Sequence, residues 1–122
     1  MGTALSEIPA AKALYDQASS ILGYDLLSKC MNGPKEVLDS TVVAQTAIFV
    51  SSMAALEKLK IDEPQAIQDA TVAMGLSLGE YTALCFAGAF SFEDGVKLTK
   101  VWFRSVLTSL CSYCNTVLLR HL

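Results

Sequence analysis

The stretch Ala70-Thr71-Val72-Ala73-Met74-Gly75-Leu76-Ser77-Leu78-Gly79-Glu80 decides how this chain is read. Ala70–Met74 is a short uncharged run of small, β-branched and aliphatic residues, the pattern of a buried strand. Gly75-Leu76-Ser77-Leu78-Gly79 is a G-x-S-x-G sequence, and Glu80 to about Ala87 reads as a helix with Gly88 at its end. A strand that feeds a helix through this sequence predicts a nucleophile elbow. There the chain turns so sharply that the serine takes a strained backbone conformation, and side chains two residues to either side would collide, hence Gly75 and Gly79. The turn lifts the Ser77 hydroxyl above the sheet edge at a helix N-terminus. The Leu78 N–H and the helix dipole can then stabilise a developing oxyanion. Average usage of about 7% for Gly and a similar share for Ser gives roughly 0.04 chance matches in a chain of this length. An ordinary glycine-rich turn is the competing reading.

Outward from the elbow the pattern is helical. Ser6 to Leu22 carries Ala11, Leu14, Ala18, Ile21 and Leu22 near 3.6-residue spacing, and Gly23 follows as the C′ residue. Asn32-Gly33-Pro34 is a turn, with Pro34 opening a short helix to Leu38. Ser40 or Thr41 can cap a long helix with Val43, Ala47, Val50 and Ala54 on one face. Lys58 and Lys60 suit its C-terminal dipole before Asp62-Glu63-Pro64 breaks it. Gln45 on that apolar face must find polar partners, so it is a candidate pocket residue. Ser91 and Asp94 form a capping-box pattern with Asp in place of Glu, opening a helix through Lys100. One strand alone is legible. Because its edges need partners, the neighbouring strands are expected outside this sequence.

Charge divides the chain. Residues 1–100 hold all 12 carboxylates and seven lysines, net −5, whereas residues 101–122 hold only Arg104 and Arg120, net +2. The later segment reads as a continuing helix with Phe103, Val106, Leu107, Leu110, Cys111, Cys114, Val117 and Leu118 on one face. Cys111, Cys114 and His121 offer three zinc ligands but no fourth at metal-site spacing, so no metal is assigned. His121, the sole histidine, reads as a terminal surface residue, and Glu80 as a helix N-terminal residue favoured by the dipole rather than an acid catalyst. Four cysteines form no recognisable disulfide framework, which suits a reducing compartment. The 122 residues suffice for one small core. A formal charge of −3 leaves no basic stripe for nucleic acid, no apolar run reaches membrane-span length, and no secretory leader is visible.

Met74-Gly75-Leu76-Ser77-Leu78-Gly79-Glu80-Tyr81-Thr82-Ala83-Leu84, continued by Ala87-Gly88-Ala89-Phe90-Ser91-Phe92-Glu93-Asp94-Gly95, resembles the malonyl-CoA:acyl carrier protein transacylase family. Gly23-Tyr24-Asp25-Leu26 and Leu38-Asp39-Ser40-Thr41 with Gln45-Thr46-Ala47-Ile48 are similar to earlier family segments. Leu76, where many members have His, is similar to the organellar form, the plastid one especially. The resemblance implies an α/β fold, here part of an α/β-hydrolase-like large subdomain, mostly helical with one strand leading to the elbow. It implies a malonyl transfer of fatty acid synthesis through a Ser77 ester, with malonyl-CoA and acyl carrier protein as partners and no cofactor. Leu78 would be a backbone oxyanion donor and Gln45 a pocket residue. A plastid or mitochondrial location follows for the full-length form, although no transit peptide is visible.

The family's carboxylate-binding arginine falls in register at Trp102, with Arg104 two positions out of phase. The resemblance ends at about Lys100–Val101, where the charge balance also changes. These observations predict residues 1–100 as a partial acyltransferase domain and 101–122 as a helical or disordered tail foreign to the family, such as a retained intron would encode. The second oxyanion donor and the catalytic histidine would lie outside this sequence, so little activity is expected of the chain alone. A serine esterase or thioesterase, and a non-catalytic fragment that binds acyl carrier protein, are the alternatives.

Overall fold

A computed structural model of the chain describes residues 7–34, 36, 41–106 and 115–119. Helix α1 spans Pro9–Leu22, with Pro9 in the first turn, where no intrahelical N–H bond is lost. It ends as the glycine predicts: Gly23 adopts φ 81° and its N–H donates to the Ser19 carbonyl. Ala11, Ala18 and Leu22 are buried, and Leu14 and Ile21 lie half-buried beside them. Tyr15, absent from the expected face, is fully buried, because it sits four residues after Ala11 and three before Ala18.

A helix that the periodicity does not reveal, α2 (Leu26–Asn32), follows at once. Its N-cap is Asp25, whose carboxylate accepts from the Ser28 N–H at 2.9 Å. Asp25→Ala is expected to lower stability by about 1 kcal/mol and Asp25→Asn by much less, in paired thermal melts. The predicted short helix after Pro34 and the cap at Ser40 fall largely on residues outside those described, and Thr41, the alternative cap, is the first residue of the long helix that follows.

Helix α3 (Thr41–Asp62) is the centre of the molecule, and its apolar residues are spread over more than one face. Phe49, Val50, Ala47 and Ala54 face the core with Ala11, Tyr15, Ala18, Leu22, Leu26 and Val96. Ile48 remains 55% exposed on the opposite side. Lys58 pairs with Asp62 at the exposed end, a contact worth little in water. Instead of simply breaking at Pro64, the chain makes a further turn, α4 (Pro64–Gln68).

Strand β1 is Val72–Leu76, two residues later than its apolar run suggests. Helix α5 (Leu78–Phe86) follows after one residue, and α6 (Phe92–Val106) closes the bundle against α1, α3 and α5. Ser91 caps α6 by accepting from the Asp94 N–H at 3.1 Å, and its hydroxyl donates to the Asp94 carboxylate at 2.7 Å. At the far end, the Lys100 Nζ donates to the Ile21 carbonyl at 3.4 Å, tying α6 to the last turn of α1.

The tail departs from its predicted form. Helix α6 crosses residues 100–101 without a break, and Asn115–Leu119 is a strand, β2, rather than helix. It pairs antiparallel with β1 in the register Val72↔Leu119 to Leu76↔Asn115. A neighbouring strand therefore lies within the chain, contrary to the expectation that all would be outside it. Thr116 and Val117 are β-branched, and pairing satisfies the N–H and C=O groups along one β1 edge. Local periodicity does not register that gain.

Candidate active site

Strand β1 ends and α5 begins around a single residue, Ser77, with φ 56° and ψ −117°. Among the described residues it alone has a positive φ without being glycine. A serine in this sparsely populated region stores strain that the surrounding structure must hold. Its carbonyl accepts from the Glu80 N–H at 3.0 Å, which closes the first turn of α5. A serine at this position ordinarily caps the helix with its hydroxyl, but the Ser77 Oγ makes no cap hydrogen bond, and the residue is exposed. The hydroxyl is thus presented to incoming reagents beside the positive end of α5, next to the Leu78 N–H.

The two flanking glycines differ. A Cβ on Gly75 would lie 2.1 Å from the Gly79 carbonyl carbon, 2.2 Å from its oxygen and 2.7 Å from its Cα. A Cβ on Gly79 would meet nothing within 4 Å among the described residues. The prediction that both glycines avoid a collision therefore holds only at Gly75. Only that Cβ is directed across the turn, toward the opposing backbone; Gly79 gives its backbone to the contact, and its own side faces an open groove.

That groove has a volume of about 480 Å³ and runs between β1, α3 and α5. Ser52, Leu56, Met74, Thr82 and Phe86 are among its walls, with Gly79 at its edge. Gln45 does not line it: it lies half-buried in the second turn of α3. The structure does not bring this residue into the groove, because Ser52 and Leu56, about two turns further along α3, are the residues that face β1. On β1 itself Met74 and Leu76 are 68% and 71% exposed. Leu78, Tyr81 and Cys85 pack α5 onto the core, and the Tyr81 and Phe90 rings meet at 6.5 Å.

Other nucleophiles are muted. Burial pushes the Cys30 and Cys85 thiols above their ordinary range, with Lys60 partly opposing this at Cys85. Both are free thiols. Glu80 occupies the first turn of α5, where the dipole favours its charge. Cys111, Cys114 and His121 lie outside the described residues, and the side chains of Trp102 and Arg104 are likewise not described. Among the described residues no group of three or more His, Cys, Asp or Glu could hold a metal ion, and no helix is long and apolar enough to cross a membrane.

No family model matches the chain. Individual relatives do. It is 47% identical over 100 residues to "Malonyl-CoA-acyl carrier protein transacylase, mitochondrial" of Mus musculus, covering 82% of this chain and 26% of the relative. The crystal structure of the malonyl CoA-acyl carrier protein transacylase from Clostridium perfringens superposes with TM-score 0.70 at 38% identity, covering 82% of this chain and 31% of that one. A type II PKS acyl-carrier protein in complex with its malonyl-transacylase matches with TM-score 0.70 at 28% identity, covering 84% and 32%. The chain spans about a quarter of the length of the curated relatives it matches. Its fold is accordingly part of the α/β acyltransferase fold. With the strained serine at a strand–helix junction, these matches show that the chain belongs to the malonyl-CoA-acyl carrier protein transacylase family.

Proposed function

We propose that this chain supplies the nucleophile elbow of an acyl-carrier-protein S-malonyltransferase of fatty acid synthesis, with Ser77 as the acceptor of the malonyl group. The observation that carries this reading is the exposed Ser77 hydroxyl, uncommitted to capping, at the strained entry to α5. Ser77 Oγ attacks the thioester carbonyl of malonyl-CoA and gives up its proton to solvent, the negative charge develops on that carbonyl oxygen, and the Leu78 N–H stabilises it. The carbon–sulfur bond then breaks, the CoA thiolate takes up a proton, and a malonyl ester of Ser77 remains. The thiol of acyl carrier protein reverses these steps: a new thioester forms, the ester bond breaks and Ser77 regains its proton.

On this reading Gly75 and Gly79 shape the turn, and residues 1–100 carry the acyltransferase sequence. Residues 101–122 extend α6 and add β2. Gln45 serves as a pocket residue only by reaching its site from the first half of α3. The mitochondrial designation of the mouse relative supports an organellar, mitochondrial location.

Intact-mass spectrometry after incubation with malonyl-CoA tests the proposal. The expected result is one malonyl group on the wild-type chain, none on Ser77→Ala, and little turnover onto acyl carrier protein. An equal adduct on both chains, or no adduct on a wild-type chain shown to be folded, overturns it. Rapid loss of the ester to water would favour a thioesterase instead.

A further inference from the structure

Leu78 contributes to the elbow twice over. Its N–H follows the strained serine directly, and its side chain packs against the core cluster formed by α1, α2, α3 and α6. Ser77 at φ 56° and ψ −117° can relax by rotating the peptide unit between Ser77 and Leu78. That rotation would turn the Leu78 N–H away from an oxyanion above Ser77. Two restraints oppose it. The backbone of Gly79 crowds Gly75 across the turn, and the first turn of α5 is bound to the core by Leu78, followed by Tyr81 and Cys85 at helical spacing. Of these anchors, Leu78 alone is covalently next to Ser77.

We infer that the Leu78 side chain is a positioning residue: packed half-buried against the core, it locks the strained Ser77–Leu78 peptide so that the Leu78 N–H faces the reacting centre. This deepens the reading of Ser77 as nucleophile and rests on it. Substitution by alanine separates the two contributions, because alanine keeps the N–H and is at least as good a helix former as leucine. Only the anchor is removed.

The test uses the 122-residue chain and a fluorophosphonate probe, which needs neither malonyl-CoA nor carrier protein. In the labelling step Ser77 Oγ bonds to phosphorus, the phosphorus–fluorine bond breaks, fluoride leaves and the serine proton passes to buffer. Leu78→Ala is expected to label roughly tenfold to a hundredfold more slowly than wild type, the scale of a displaced catalytic donor. Leu78→Met, similar in volume, is expected to restore most of the rate. Val96→Ala removes buried volume from the α6 part of the same core without touching the residue bonded to Ser77, and controls for general destabilisation. It should lower the melting temperature while leaving labelling near wild type. If Leu78→Ala does not fold, Leu78→Val supplies the same comparison with a smaller truncation. Equal rates for wild type and the truncated variants, or equal slowing in Val96→Ala, overturn the positioning role while leaving Ser77 as nucleophile. A folded wild-type chain that labels no faster than Ser77→Ala overturns both.

Discussion

Gly75→Ala should unmake the elbow, whereas Gly79→Ala should leave the chain as stable as before or slightly more so. At position 75 a methyl group would sit about 2.1–2.7 Å from three backbone atoms of Gly79. No rotamer change relieves a clash with main chain, so β1 and α5 must separate. Overpacking of this kind costs about 1–3 kcal/mol or more. Because the separation displaces Ser77 and the Leu78 N–H, labelling at Ser77 should be lost even in the fraction that remains folded. At position 79 the same methyl enters the open groove. Gly79 lies inside α5, so alanine there removes a backbone-entropy cost of about 0.5–1 kcal/mol. Thermal melts of the two variants beside wild type check both signs. Equal melting temperatures for Gly75→Ala and wild type would sink this account of the turn.

Phe49→Ala should be the most destabilising single change in the core. The ring is fully buried and stacks on Phe92 with centroids 5.7 Å apart. It also fills the space above Gly95, where a Cβ would approach the Phe49 Cζ to 2.4 Å. Removing it leaves a cavity where α3 meets α6, at a cost of about 3–5 kcal/mol. That approaches the whole stability of a small domain, typically about 5–15 kcal/mol. Urea denaturation followed by circular dichroism would read the loss as a lowered midpoint. The tight fit also predicts coupling. Gly95→Ala alone overpacks the crossing, but in a Phe49→Leu background the added methyl gains room, so the double variant should be less destabilised than the sum of the single changes. Strict additivity would show that Phe49 and Gly95 do not share this space.

The elbow was legible in the sequence because its determinants are local. A strand pattern, two glycines, a serine and a helix within eleven residues leave few backbone paths, and the structure follows one with Ser77 at positive φ. Helix α1 and its Gly23 terminus, the buried face of α3 and the Ser91 cap were readable for the same reason: each rests on contacts within a few residues. Where the reading missed, the partner lay far away in the chain. Tyr15 shares the helical face of Ala11 and Ala18, but burying its hydroxyl also requires a polar partner, and α3 supplies Ser51 Oγ at 2.8 Å across 36 positions. Likewise, that Ser52 and Leu56 of α3 line the groove beside β1 is set by how distant elements pack, and the helical period alone does not show it.

The sequence by itself therefore determined the family, the nucleophile candidate and the local turn that presents it. Only the tertiary structure decided which glycine of the motif is sterically required, which rings fill the α3–α6 crossing, and that Asn115–Leu119 lies on β1 as a strand. The physical reason is one of range. Glycine φ angles, caps and helical period are set by neighbours in sequence. Close packing and strand pairing are set by whichever distant atoms the fold brings within van der Waals and hydrogen-bonding reach.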